Sequence, residues 1–142
     1  MTLEVPTDPS TLEVGAALPP RTFGPVTLTD IVRYQGASGD MNPLHHDEAV
    51  AKAAGFPTFF SVGMLQAGLL STYATDLFGA ENVRRFGTRF KEQVWAGDML
   101  TCSGTVQSVT DVDGERRVEL KLVCTRQTGG VAIDGSATFV VP

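Results

Sequence analysis

The spacing of apolar residues changes period once along the chain, near residue 80. Ahead of that point, from Gly63 to Phe78, Met64, Leu65, Ala67, Leu69, Leu70, Tyr73, Ala74 and Leu77 cover nearly every side of a helical projection. That distribution predicts a helix wrapped by other structure, with Gly79 as its C-terminal stop. Beyond it, Val118, Leu120, Leu122 and Cys124 alternate with Arg117, Glu119, Lys121 and Val123, the two-residue period of a half-buried strand. Gly97-Asp98, Asp113-Gly114 and Gly129-Gly130 divide this half into segments near 83–96, 99–110, 115–127 and 131–141, which reads as strands joined by hairpin turns.

Two shorter helices precede the central one. Thr27 can cap a helix with Asp30 three residues on, Val26 can staple against Ile31, and Gly36 is the expected stop. Asp47 and Glu48 open an Ala-rich helix over residues 48–54, closed by Gly55 and Pro57. Helices first and a long-stranded meander afterwards predict one α+β domain over residues 1–142, its antiparallel sheet curled around the apolar helix.

At 142 residues the chain can bury about 68–70% of the surface its unfolded form exposes, so it needs neither disulfide nor metal to fold. A formal charge of −5 argues against a nucleic-acid surface, which requires clustered Lys and Arg. Residues 53–75 carry no charge, yet Pro57, Gln66 and several Ser and Thr interrupt them, so a buried helix is expected and no membrane span. Met1 to Asp8 lacks the basic-then-apolar order of a secretory signal, which makes the cytoplasm the expected location. There Cys102 and Cys124 would serve as small buried side chains.

Candidate chemistry concentrates in Tyr34-Gln35-Gly36-Ala37-Ser38-Gly39-Asp40-Met41-Asn42-Pro43-Leu44-His45. Pro43 lacks a backbone N–H and biases Asn42 toward extended dihedrals, so the segment can fold Asp40 and His45 toward one point. A carboxylate beside an imidazole suits general acid–base work near neutrality. The structural alternative is that Asp40 makes an Asx turn and His45 caps the next helix. His46 and Asp47 do not make a metal site, because adjacent side chains diverge and no second donor cluster completes a shell. No serine nucleophile elbow, phosphate-binding loop or dinucleotide fingerprint occurs.

The stretch from Tyr34 to Ala51, with its Gly-Asp-x-Asn-Pro-aliphatic-His core, resembles the MaoC-like dehydratase and (R)-specific enoyl-thioester hydratase family, which has the hot-dog fold. Gly63-Met64 resembles the family's Gly-Met step, and Arg89-Phe90-Lys91 with Gly97-Asp98 its strand signature. Ala37, Val62 (where many members carry His) and Gln93 (where Pro often precedes Val) depart from the pattern. The resemblance implies that Asp40 and His45 hold one water and add it across an enoyl thioester, or run the reverse, giving a (3R)-hydroxyacyl thioester. It implies that Asn42 orients the dyad or the water, that the Gly63 N–H meets the thioester oxygen, and that Ser71 and Val62 lie beside the substrate. It also implies no cofactor, a substrate carried on coenzyme A or acyl carrier protein, and a homodimer or a heterodimer with another hot-dog subunit. The alternatives are a hot-dog acyl thioesterase, a subunit of a heteromeric hot-dog dehydratase acting in fatty-acid or sterol metabolism, and a non-catalytic partner subunit. Arg84, Arg85, Arg89 and Lys91 could meet coenzyme A phosphates or an acidic carrier, or form a solvated strand face.

Overall fold

The computed structural model describes residues 12–142, so the expectation placed on Met1 to Asp8 lies outside the described residues. Five strands form one antiparallel sheet: β1 (Arg21–Phe23), β2 (Val83–Phe90), β3 (Leu100–Val112), β4 (Glu115–Arg126) and β5 (Val131–Val141), in the order β1-β3-β4-β5-β2. Among the described residues three α-helices precede β2: α1 (Leu28–Ser38), α2 (Glu48–Ala53) and α3 (Gly63–Phe78). The predicted α3 has the observed bounds, and it packs on β2, β3, β4 and β5. Leu70, Tyr73, Ala74 and Leu77 from the helix join Val106, Leu120, Leu122, Ile133 and Phe139 from the sheet in one core. The alternation read in β4 puts Val118, Leu120, Leu122 and Cys124 on that inner face. Helix and sheet approach closely at Gly135, where a Cβ would lie 2.9 Å from Leu70 Cδ2.

Two expectations are corrected and one element is added. Gly36 sits inside α1, and the helix runs on to Gly39, whose left-handed φ of 76° and N–H bond to Gln35 O (2.9 Å) make the real stop. The strand expected over 83–96 ends at Phe90, because the backbone beyond it turns to other partners: Val94 O accepts from Ser61 N (2.7 Å), and the turn Trp95–Asp98 closes at 3.0 Å. The edge strand β1 is an addition to the expected layout, since Arg21-Thr22-Phe23 is too short to show a period. The capping box at Thr27 and Asp30 forms as read, and Val26 and Ile31 are both buried.

Cys102 and Cys124 face each other across β3 and β4, fully buried as free thiols. Hydrogen bonding between the two thiols, then burial, holds Cys102 far above the usual thiol range. No helix among the described residues is long and apolar enough to cross a membrane.

Candidate active site

The loop from Gly39 to Asp47 is built by local capping. Asn42 Oδ1 accepts from Leu44 N–H (3.0 Å) and opens a single 3-10 turn, Pro43–His45, while Asp47 Oδ1 accepts from Ala49 N–H and Val50 N–H to start α2. Asp40 Oδ1 accepts from Asn42 N–H at 3.2 Å, the Asx turn that a purely structural role would require. Its other oxygen, Oδ2, lies 3.9 Å from His45 Nε2. The loop therefore brings the carboxylate and the imidazole together, at a separation beyond a direct hydrogen bond.

His45 is held from the opposite side. Its Nδ1 is 2.8 Å from Phe60 O, and a carbonyl only accepts, so Nδ1 carries the proton and neutral His45 leaves the lone pair on Nε2, toward Asp40. Phe60 also meets the ring edge-on at 5.2 Å and joins Phe56 and Trp95 in an aromatic wall. The His45 side chain is about one-tenth exposed and that of Asp40 nearly half, so one member is walled in and the other faces solvent.

A cavity of about 200 Å³ opens beside His45, lined among others by Ser61, Gly63, Gln66, Phe90 and Ile133. His45 and Gly63 thus share one space. Gly63 begins α3, its N-cap Val62 contributes no side-chain cap, and the first N–H groups of a helix have no intrahelical partner. A Cβ on Gly63 would approach the Phe90 ring to 3.1 Å, so the missing side chain keeps this mouth open. Val62 points into the core and is not part of the cavity lining, and Ser71, two turns further along α3, is half-buried outside it. A larger space of about 530 Å³ lies between α1 and α3, against Tyr34, Leu65 and Leu69, and contains neither Asp40 nor His45.

Two residues at this site escape a reading of the sequence alone. Gln35, one turn after Ile31 on the buried side of α1, donates from Nε2 to Asp40 O (2.9 Å) and Asn42 O (3.1 Å), while its Oε1 accepts from His46 Nδ1 (2.9 Å). Gln66 sits on the inner face of α3, and its Oε1 accepts from the Ser61 hydroxyl at 2.7 Å. The available signal is the same in both: an amide at a position where the helical period calls for an apolar side chain. Of the cations considered for an anionic carrier, Arg85 and Arg89 lie beside Lys121, Asp134 and Ser136 in another depression, whereas Lys91 lines the cavity that holds His45.

Asp98, unlike Asp40, is a buried carboxylate. Its Oδ2 accepts from Trp95 N–H (2.9 Å) and Arg126 Nε (2.7 Å), and its Oδ1 from Gln127 Nε2 (2.7 Å). Burial pushes its pKa up, but these donors together outweigh it and hold the carboxyl below the usual range. Among the described residues no three His, Cys, Asp or Glu side chains gather as a metal site.

The fold is that of the hot-dog hydratases and dehydratases. The profile of the MaoC like domain matches residues 12–128, and the chain belongs to that family. It is 34% identical over 120 residues to the (R)-specific enoyl-CoA hydratase of Rhodospirillum rubrum, covering 82% of this chain and 81% of that one. The (R)-hydratase of A. caviae involved in PHA biosynthesis superposes with a TM-score of 0.81 at 25% identity, covering 93% of this chain and 98% of that one. The ChsH1-ChsH2 complex from Mycobacterium tuberculosis, a pairing of unlike subunits, gives 0.79 at 27% identity, with 92% and 98% covered.

Proposed function

We propose that this chain adds water across trans-2-enoyl thioesters to give (3R)-hydroxyacyl thioesters, or removes it in reverse. The observation that carries the reading is the 3.9 Å gap between Asp40 Oδ2 and His45 Nε2, a spacing at which one water can bridge both atoms. In the hydration direction the water oxygen bonds to C3, one of its protons passes to the dyad, and the C2=C3 electrons move toward the thioester oxygen. A proton from the dyad then completes C2, so the net addition is one water. The Gly63 N–H receives the charge that builds on the thioester oxygen. Asn42 keeps the loop in register through its Leu44 cap, and Ser71, which lies outside the cavity, is given no step. No step is given to Val62, whose side chain faces the core.

The chemistry requires no resident cofactor, only an acyl group on coenzyme A or acyl carrier protein. Among the described residues strand β2 pairs only with β5, and its other edge is the natural place for a second copy, or a related subunit, to extend the sheet. Two facing free thiols agree with a reducing, cytoplasmic setting.

The test follows the ultraviolet absorbance of crotonyl-CoA and a longer trans-2-enoyl-CoA with purified protein beside Asp40→Asn. Loss of absorbance giving the (3R)-hydroxy product, abolished in the variant, supports the reading. Thiol release without hydration points to a thioesterase. Inactivity of the pure chain, restored by a second hot-dog subunit, identifies a half of a heteromer.

A further inference from the structure

Gln66 is a polar side chain on an otherwise apolar helix, 3% exposed, and that small exposed part borders the cavity shared by His45 and Gly63. A carboxamide has one acceptor oxygen and an NH2 with two donors. The oxygen is taken: the Ser61 hydroxyl donates to Oε1 at 2.7 Å, and Ser61 is itself 3% exposed and pinned by its N–H to Val94 O at 2.7 Å. The NH2 makes no hydrogen bond among the described residues, yet no fully enclosed polar side-chain atom is without a partner, so Nε2 opens to the cavity. On α3, Gln66 lies three residues after Gly63, the spacing that places two groups on one side of a helix.

We infer that Gln66 is a second donor to the substrate's thioester oxygen, its Nε2–H acting together with the Gly63 N–H, and that Ser61 positions the amide for this task. The inference rests on the hydratase reading above. As the C2=C3 electrons shift, negative charge accumulates on the thioester oxygen, and a pre-aimed amide stabilises that charge more than it stabilises the bound ground state. No bond to Gln66 forms or breaks, and its proton stays on nitrogen.

Two readouts test it. With a trans-2-enoyl-CoA that the wild type turns over, Gln66→Leu should lower kcat by about 10²-fold while KM changes less than about threefold. Ser61→Ala, which leaves the amide unaimed, should cause a smaller loss in kcat. The second readout is the Raman carbonyl stretch of the same enoyl-CoA bound to Asp40→Asn, with and without Gln66→Leu. The stretch should lie lower when Gln66 is present. If Gln66→Leu unfolds, Gln66→Met keeps the experiment open, because an unbranched thioether fills the same volume without a donor. Wild-type turnover lost in Asp40→Asn but kept within about threefold in the Gln66 variants, with an unmoved carbonyl stretch, overturns the role of Gln66 alone. Equal losses of melting temperature and kcat in Gln66→Leu and Ser61→Ala, again without a carbonyl shift, mark the pair as structural and likewise overturn it. Failure of the wild type to hydrate any enoyl thioester would instead sink the parent reading.

Discussion

Asp40 and Asp98 are both carboxylates in loops beside a cationic or basic side chain, and they are used in opposite ways. Asp98 spends both oxygens on Trp95 N–H, two N–H groups of Arg126 and Gln127, four bonds in all, and is almost fully buried. Asp40 accepts one backbone N–H on Oδ1, and Oδ2 stands 3.9 Å from the nearest basic nitrogen with its side chain 44% exposed. A saturated carboxylate can hold a fold together but has no lone pair left for a substrate. An under-coordinated one adds little to stability and is available for chemistry. Ion-pair proximity alone therefore says little about role, whereas the count of unused lone pairs says much.

Substitutions at the two residues should separate activity from stability. Asp40→Asn or His45→Ala should lower turnover by at least ~10²-fold, the scale of general acid–base catalysis, with the melting temperature nearly unchanged. A variant within a few-fold of wild type would break the contrast on the Asp40 side. Asp98→Asn should do the reverse. Removing one partner of a buried pair costs about 3–5 kcal/mol, read by denaturant unfolding, while kcat per folded molecule stays near wild type. Full stability in that variant would show that Asp98 is as dispensable to the fold as Asp40.

Acid sharpens the same contrast. Because the folded-state pKa of Asp98 is depressed, its stabilising contribution is complete above the unfolded value, about 3.9, and disappears as pH falls through the folded one. Wild type should lose stability in that window faster than Asp98→Asn, and parallel curves for the two proteins would contradict the assignment. Gly135→Ala is smaller still and acts on packing alone: a methyl pressed to 2.9 Å from Leu70 should cost about 1–3 kcal/mol of unfolding free energy, with KM and kcat little affected. The exposed Lys52–Glu48 pair, 3.3 Å apart one turn along α2, closes the series, since Lys52→Ala should change stability by less than about 0.5 kcal/mol in chemical denaturation.

How much of the fold and site is legible in the sequence depends on how local each signal is. Helix α3 is readable to its ends because its apolar positions and its flanking glycines all lie within or beside its own sixteen residues. The Asp40–His45 pairing is likewise readable, since the Asn42-Pro43 turn is itself local, while Gln35 and Phe60 O then hold the loop and the ring from outside it. Gly36 misleads because a helix can absorb a glycine and stop at a second one three residues later, where the backbone turns left-handed. The end of β2 is hidden because Val94 is claimed by Ser61, a residue far earlier in the chain. Gln35 and Gln66 are visible only as interruptions of an apolar stripe, and their partners, the carbonyls of the loop and the Ser61 hydroxyl, become neighbours only in the fold.

The hydrogen bond from His45 Nδ1 to Phe60 O acquires a further meaning from the residue next to Phe60. Phe60 fixes which imidazole nitrogen is basic, and Ser61 beside it grips both Val94 O and the amide of Gln66. The base and the entrance to α3 are thus geared to one short run of backbone, like two hands on a single spindle. Sequence drift in the sheet can leave that spindle in place, but a one-residue insertion or deletion between Phe60 and Gly63 would turn both hands at once. For anyone redesigning acyl preference, the safe ground is the far wall of the cavity, and the run from Phe60 to Gly63 should keep its length.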